Sequence, residues 1–191
     1  MQERDCASLI DKLHDASVEV RRWAARDLLE CPDSVPSLVA RLEQEPDASV
    51  REVMLTTLTR LGNREAVAGL VRCMRSEDVA LRNEAIGVMK QLPDAVAPIM
   101  KSLLADADSD VRIFAVNILE SLRHPEVESW LCEVIERDAH INVCATAVDL
   151  LGEVGSRDAL DVLKRLKLRF AGRAYIQFAA DLAIKRIQRA L

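Results

Sequence analysis

Apolar positions along the chain follow one helical rhythm, repeated. In the stretch from Asp106 to Leu122 an acidic turn precedes Val111, Ala115, Ile118, Leu119 and Leu122, which share one face of a helix. The same arrangement returns as Val20 with Ala24 and Leu28, as Val50 with Met54, Leu58 and Leu61, and as Leu81 with Ala85, Val88, Met89 and Leu92. Weaker copies begin at Val143 (with Ala147, Leu150, Leu151 and Val154) and at Tyr175 (with Ala179 and Leu182). These leading positions lie 30, 31, 30, 32 and 32 residues apart. A fixed period near that length is the mark of stacked structural repeats, each packing on its neighbours.

Every repeat carries two helical faces, so the pattern predicts an all-α protein of about six helix pairs. The first helices (A) are expected over 3–14, 34–45, 64–75, 94–105, 125–137 and 157–169. The second helices (B) are expected over 18–31, 48–61, 79–92, 109–122, 141–154 and 173–190. The repeats then fall at about 3–31, 33–62, 63–92, 93–123, 124–154 and 155–191, within one domain spanning 1–191. Ser17 and Asp47 are placed to cap the helices that follow them. Gly62 follows Leu61 where a helix end needs a left-handed residue. Repeat six departs from the pattern. It has Phe170-Ala-Gly-Arg173 in place of an acidic turn, and it reads as a C-terminal cap.

Composition supports helices packed through small and branched side chains. Half of the 191 residues are apolar but only 3% are aromatic, and glycine is scarce. No apolar run is long enough for a membrane span, and the polar start Met1-Gln-Glu-Arg-Asp-Cys6 lacks a signal core, so a cytoplasmic protein is expected. The five cysteines, at 6, 31, 73, 132 and 144, form no C-x-x-C pair. The expectation is reduced thiols acting as small core residues, without a disulfide framework or zinc site; a redox role for Cys144 is the alternative. The net charge of −5 conceals an asymmetry. Residues 156–191 hold nine basic side chains against three acidic ones, while the rest holds 17 against 28.

At Asp106–Leu122 and Asp94–Leu104 the chain resembles HEAT repeats, most of all the short bacterial type known as phycobilisome-lyase HEAT-like repeats. Pro36 and Pro98 match the early proline of that pattern, and Asp106, Asp108, Val111, Arg112 and Ala115 match its second half. Arg21, Arg51 and Arg82 occupy the slot of Arg112; Cys144 replaces it in repeat five and Ile176 in repeat six. The resemblance implies a right-handed α-α superhelix. It also implies a structural ladder in which turn acids such as Asp106 and the arginines Arg21, Arg51, Arg82 and Arg112 link adjacent repeats. In such solenoids the B helices line the concave side. Two rows of B-helix positions would then form a groove: Arg22, Glu52, Asn83, Ile113, Ala145 and Gln177, and Arg26, Thr56, Gly87, Asn117, Asp149 and Asp181. It would be basic first, small and neutral at the centre, and acidic last.

No phosphate-binding glycine loop, nucleophile elbow or H-E-x-x-H motif is present. The histidines His14, His124 and His140 are expected to be solvated turn residues. The sequence therefore points to a non-catalytic scaffold that presents a helical surface to another protein, with no metal or cofactor of its own. Its candidate partner-binding residues are Arg22, Arg26, Asn83, Gly87, Asn117 and Asp149. Two alternatives stand beside it. The resemblance allows a subunit of a bilin-lyase-like complex. The cluster Lys164, Arg165, Lys167, Arg169 and Arg173 allows nucleic-acid binding, against which the acidic body and the lack of interleaved aromatics argue.

Overall fold

The computed structural model describes residues 5–190, and every regular element among them is helical. In repeat one, α1 (Cys6–Lys12) is followed by α2 (Val18–Asp27), and a 3-10 turn over Leu28–Glu30 completes it. Next come α3 (Val35–Leu42) with α4 (Ala48–Leu61), and α5 (Arg64–Cys73) with α6 (Val79–Met89). A short α7 (Pro93–Val96), a 3-10 turn over Ala97–Ile99 and α8 (Met100–Leu104) precede α9 (Ser109–Leu119). The chain ends with α10 (Val127–Arg137) and α11 (Ile141–Val154), then α12 (Ala159–Arg169) and α13 (Ala174–Ala190).

Two compact units result, Met1–Val96 and Ala97–Leu191. In the first, α3 packs on α5 while α2, α4 and α6 form a second layer. In the second, α10 packs on α12 and the second layer is α9, α11 and α13. Each unit is thus a stack of helix pairs, with A helices on one side and B helices on the other.

Local chemistry sets the helix starts. Asp47 accepts from the backbone N–H groups of Ser49 and Val50, Asp78 from Ala80 and Leu81, and Asp108 from Asp110. Gly62 closes α4 at φ +52°, a left-handed cap that suits glycine. The core between the layers is Leu, Val, Ile, Met and Ala. The shared small position (Ala24, Ala85, Ala115, Ala147 and Ala179) is at most 5% exposed throughout. A leucine at Ala115 would overpack this seam, so Ala115→Leu should lower stability by about 1–3 kcal/mol in denaturant unfolding. An unchanged midpoint would contradict the shared register.

The structure departs from the sequence reading in four places. The A helix expected over 94–105 is broken, because Pro98 has no N–H to donate and its ring crowds the preceding turn. In α13 the buried face keeps Ala179 but turns toward the following positions. Ile176, Ala179, Ala180, Ala183 and Ile187 are buried, whereas Tyr175 is 62% exposed. That helix begins after Phe170-Ala-Gly-Arg173 without a capping acid, so nothing holds it to the rotation of the earlier copies. Cys6 and Cys31 form a disulfide, contrary to the expectation that all the thiols are reduced: the turn of repeat one brings their Cα atoms to 6.0 Å. Finally, His124 is not a free turn residue. Its ring stacks on Trp130 with centroids 4.9 Å apart, and its Nδ1 accepts from the Glu126 N–H.

Candidate functional site

The recurrent arginine slot of the B helices builds the joints between repeats. Arg21 donates through Nε and Nη2 to Glu45, both at 2.9 Å, and through Nη1 to the carbonyls of Asp15 and Ala16. Arg112 repeats that geometry. It reaches Asp138 at 2.6 and 3.0 Å and the carbonyls of Asp106 and Ala107 at 2.9 and 3.1 Å. Arg51 spans from the Glu45 carbonyl to Glu84, and Arg82 donates to the Ser76 carbonyl. One guanidinium thus satisfies the turn before its own helix and, in the first three cases, an acid about one repeat further on. Asp106 enters this ladder through its carbonyl, while its carboxylate accepts from the Asp108 N–H.

Electrostatics follow from that geometry. The bond to Glu45 holds the Arg21 pKa above its ordinary value, and the bond to Asp138 does the same for Arg112. Burial pushes the Glu45 carboxyl up, but the Arg21 bond, the Asp47 N–H and the Arg41 charge together hold it below the usual range. Asp138 is balanced the same way by burial against Arg112 and the His140 N–H, and it too ends low.

Repeat five lacks the arginine, and another residue takes over its work. Arg169, at the end of α12, donates to the carbonyls of Glu136 and Asp138 and to Cys144 Sγ at 3.1 Å. Cys144 in turn donates to the Asp138 carbonyl. Burial raises its pKa, against the opposing charge of Arg169. The terminal basic cluster is therefore largely engaged within the protein: Lys164 with Asp161, Arg165 with Glu136 and Lys167 with Asp181.

The proposed groove residues lie on B helices. In the first unit Arg22, Arg26 and Asn83 are exposed and Gly87 is half-buried. A Cβ at Gly87 would meet no heavy atom within 4 Å, so no neighbouring helix accounts for that glycine. Arg26 does not stand free. Its guanidinium lies 4.3 Å over the Trp23 ring and pairs with Asp27. In the second unit Asp149 is exposed and Asn117 is half-buried. Sequence reasoning passed over the aromatic part of these faces. Trp23 is 60% exposed on α2 and Phe178 is 69% exposed on α13. Both stand three residues after a repeat's leading position, outside the two rows of the expected groove. Among the described residues no group of three or more His, Cys, Asp or Glu could hold a metal, and no helix is long and apolar enough to cross a membrane.

Helix pairs stacked at a fixed period and joined by arginine–acid ladders define an α-α repeat protein. HEAT repeats match residues 6–90, 35–105 and 96–169, and the chain belongs to the HEAT-repeat family. The bilin biosynthesis protein PecE of Mastigocladus laminosus is 28% identical over 176 residues, covering 85% of this chain and 64% of that protein. PecE of Nostoc sp. (strain PCC 7120) is 34% identical over 76 residues, covering 37% of this chain and 30% of that one. The chain thus spans less than two thirds of either relative. Among solved structures, Cex1p aligns over 97% of this chain and 43% of its own, at 12% identity and a TM-score of 0.55, a likeness of fold alone.

Proposed function

We propose that the protein works by binding, as a non-catalytic scaffold that holds a partner protein on the B-helix faces of its two units. One observation carries this reading. Seven large hydrophobic side chains are exposed among the described residues, and six of them (Trp23, Val79, Val154, Tyr175, Phe178 and Leu182) stand on B helices. Exposed apolar side chains on the B helices, with an arginine over Trp23, are the makings of a protein interface. On the first unit Arg22 and Arg26 suit acidic groups of the partner; on the second, Asp149 suits basic ones, Asp181 being already paired with Lys167. Such complementarity governs orientation and association rate more than affinity.

The test reverses both charges. Arg26→Glu with Asp149→Lys should leave helical circular dichroism unchanged and cut capture of the native partner by at least about tenfold, a loss of about 1.4 kcal/mol. Undiminished capture would remove the B faces from consideration and turn attention to the terminal basic cluster.

A second reading, a subunit of a bilin-lyase-like complex, is favoured by the similarity to PecE over 85% of the chain. Co-expression with a bilin should then yield protein that carries visible absorbance through purification. Colourless protein from bilin-producing cells would count against it.

A further inference from the structure

The second unit contains a cavity of about 440 Å³ lined by Leu104, Trp130, Val134, Asp138 and Ala139, with the cations Lys101, Arg112 and Arg137 also in its wall, the last paired with Glu133. Its place in the repeat explains why it is there. The N-caps of the B helices, Ser17, Asp47, Asp78, Asp108 and His140, provide a common register. Six residues before Asp47 stands Arg41, which reaches back to the previous repeat and donates to the Leu13 carbonyl at 2.8 Å. Leu13 lies four residues before the N-cap Ser17. Six residues before Asp78 stands Arg72, which reaches back to Glu43, four residues before the N-cap Asp47. In repeat five the same position is Val134, and the residue four before the previous N-cap is Leu104. Both line the cavity.

The rest of the junction is preserved. Arg112 with Asp138 repeats Arg21 with Glu45 bond for bond, including the acceptance of the N-cap N–H by the acid. One bond is missing. Glu45 accepts from Arg21 twice, from Asp47 N–H and from Arg41 Nη2 at 2.7 Å. Asp138 accepts only from Arg112 twice and from His140 N–H. A carboxylate has about four acceptor positions, so Asp138 retains one.

We infer that this cavity is a vacated arginine socket and that it takes an arginine side chain from a segment of the partner protein. The guanidinium would occupy the place that Arg41 fills in the first unit, against Asp138 and Leu104. The apolar stem would lie along Trp130 and Val134. A planar donor fork matches the remaining carboxylate position and a turn carbonyl better than an ammonium does. The inference rests on the partner-protein reading but on a different surface, so its test is independent of the B-face reversal.

The probe is the peptide acetyl-Ala-Arg-Ala-amide, with its citrulline counterpart as control. The full chain is observed through its two indole N–H signals. Trp130 lines the socket; Trp23 stands on the other unit as an internal reference. The arginine peptide should shift the Trp130 signal and leave Trp23 unmoved, and the citrulline peptide should bind at least about tenfold more weakly. Val134→Arg, which refills the socket from within, should abolish the shift and raise the melting temperature. If that variant misfolds, Ala139→Leu obstructs the cavity from the turn and should also abolish the shift. Equal binding of both peptides, a shift at Trp23 alone, or no shift at millimolar peptide overturns the proposal.

Discussion

Replacing Arg21 with methionine should destabilise the protein by about 3 kcal/mol, since breaking a buried ion pair strands the remaining charge. Methionine keeps the apolar stem but removes every donor. Glu45, whose side chain is 0% exposed, would then face its surroundings with only Arg41 and the Asp47 N–H. The pH dependence identifies the cause. In the wild type the Glu45 carboxyl is held low, so its stabilising contribution is present above the ordinary carboxylate range. That contribution is lost as the pH falls through the depressed value. In the variant the stranded carboxyl gains a reason to take up a proton, and protonation relieves the strain. The difference between the two proteins should therefore be largest near neutrality and shrink below about pH 4. Urea unfolding of both at neutral and acid pH measures this. A pH-independent difference would mean that lost packing, not the stranded carboxylate, is responsible.

Opening the disulfide between Cys6 and Cys31 should cost a similar amount, about 3 kcal/mol for a loop of this size. The bond, which closes 25 residues of chain, ties the start of α1 to the segment after the 3-10 turn that ends repeat one. Both cysteines belong to the first repeat, so the loss should fall on it. Hydrogen exchange in a reducing buffer should show the amides of α1 and α2 losing protection well before those of α9 and α11. Identical exchange in oxidising and reducing buffers would show that helix packing alone holds the repeat. The remaining thiols are poor nucleophiles: burial lifts both Cys73 and Cys132 to about 11.

Helices marked by their end chemistry or by their apolar face were legible in the sequence. The spans 48–61 and 141–154 match α4 and α11 residue for residue. The first sits between the Asp47 cap and the left-handed Gly62; the second lacks a side-chain cap at His140 and is marked by its apolar face alone. Where the ends lack such signals, tertiary packing decided. Pro98 matched the repeat pattern yet broke its helix, and α13 without a capping acid turned to bury Ile176 in place of Tyr175. The disulfide could not be read from spacing, because Cys6 and Cys31 meet only once the first helix pair has formed.

The ladder was legible in part. Arg21 and Arg112 do bind turn acids, but Arg51 pairs with Glu84, which lies within α6. Arg169 in the place of a missing arginine had one available signal. Cys144 in an arginine slot leaves turn carbonyls in need of a donor from elsewhere. The socket required a comparison of Arg41, Arg72 and Val134 in register, together with the bonds that Arg41 and Arg72 make to the preceding repeat, which only the structure shows.

The central claim, that the B-helix faces hold a partner protein, is tested most directly by photo-crosslinking from defined positions. A photoreactive phenylalanine analogue is placed at Asn83 and Asn117 on B helices, and separately at the exposed A-helix residues Ala40 and Ala68. Cells producing each variant are irradiated and the adducts are identified by mass spectrometry. The account predicts one recurrent protein adduct from Asn83 and Asn117 and none above background from Ala40 and Ala68. The same adduct from the A-helix positions, with none from the B helices, would contradict it.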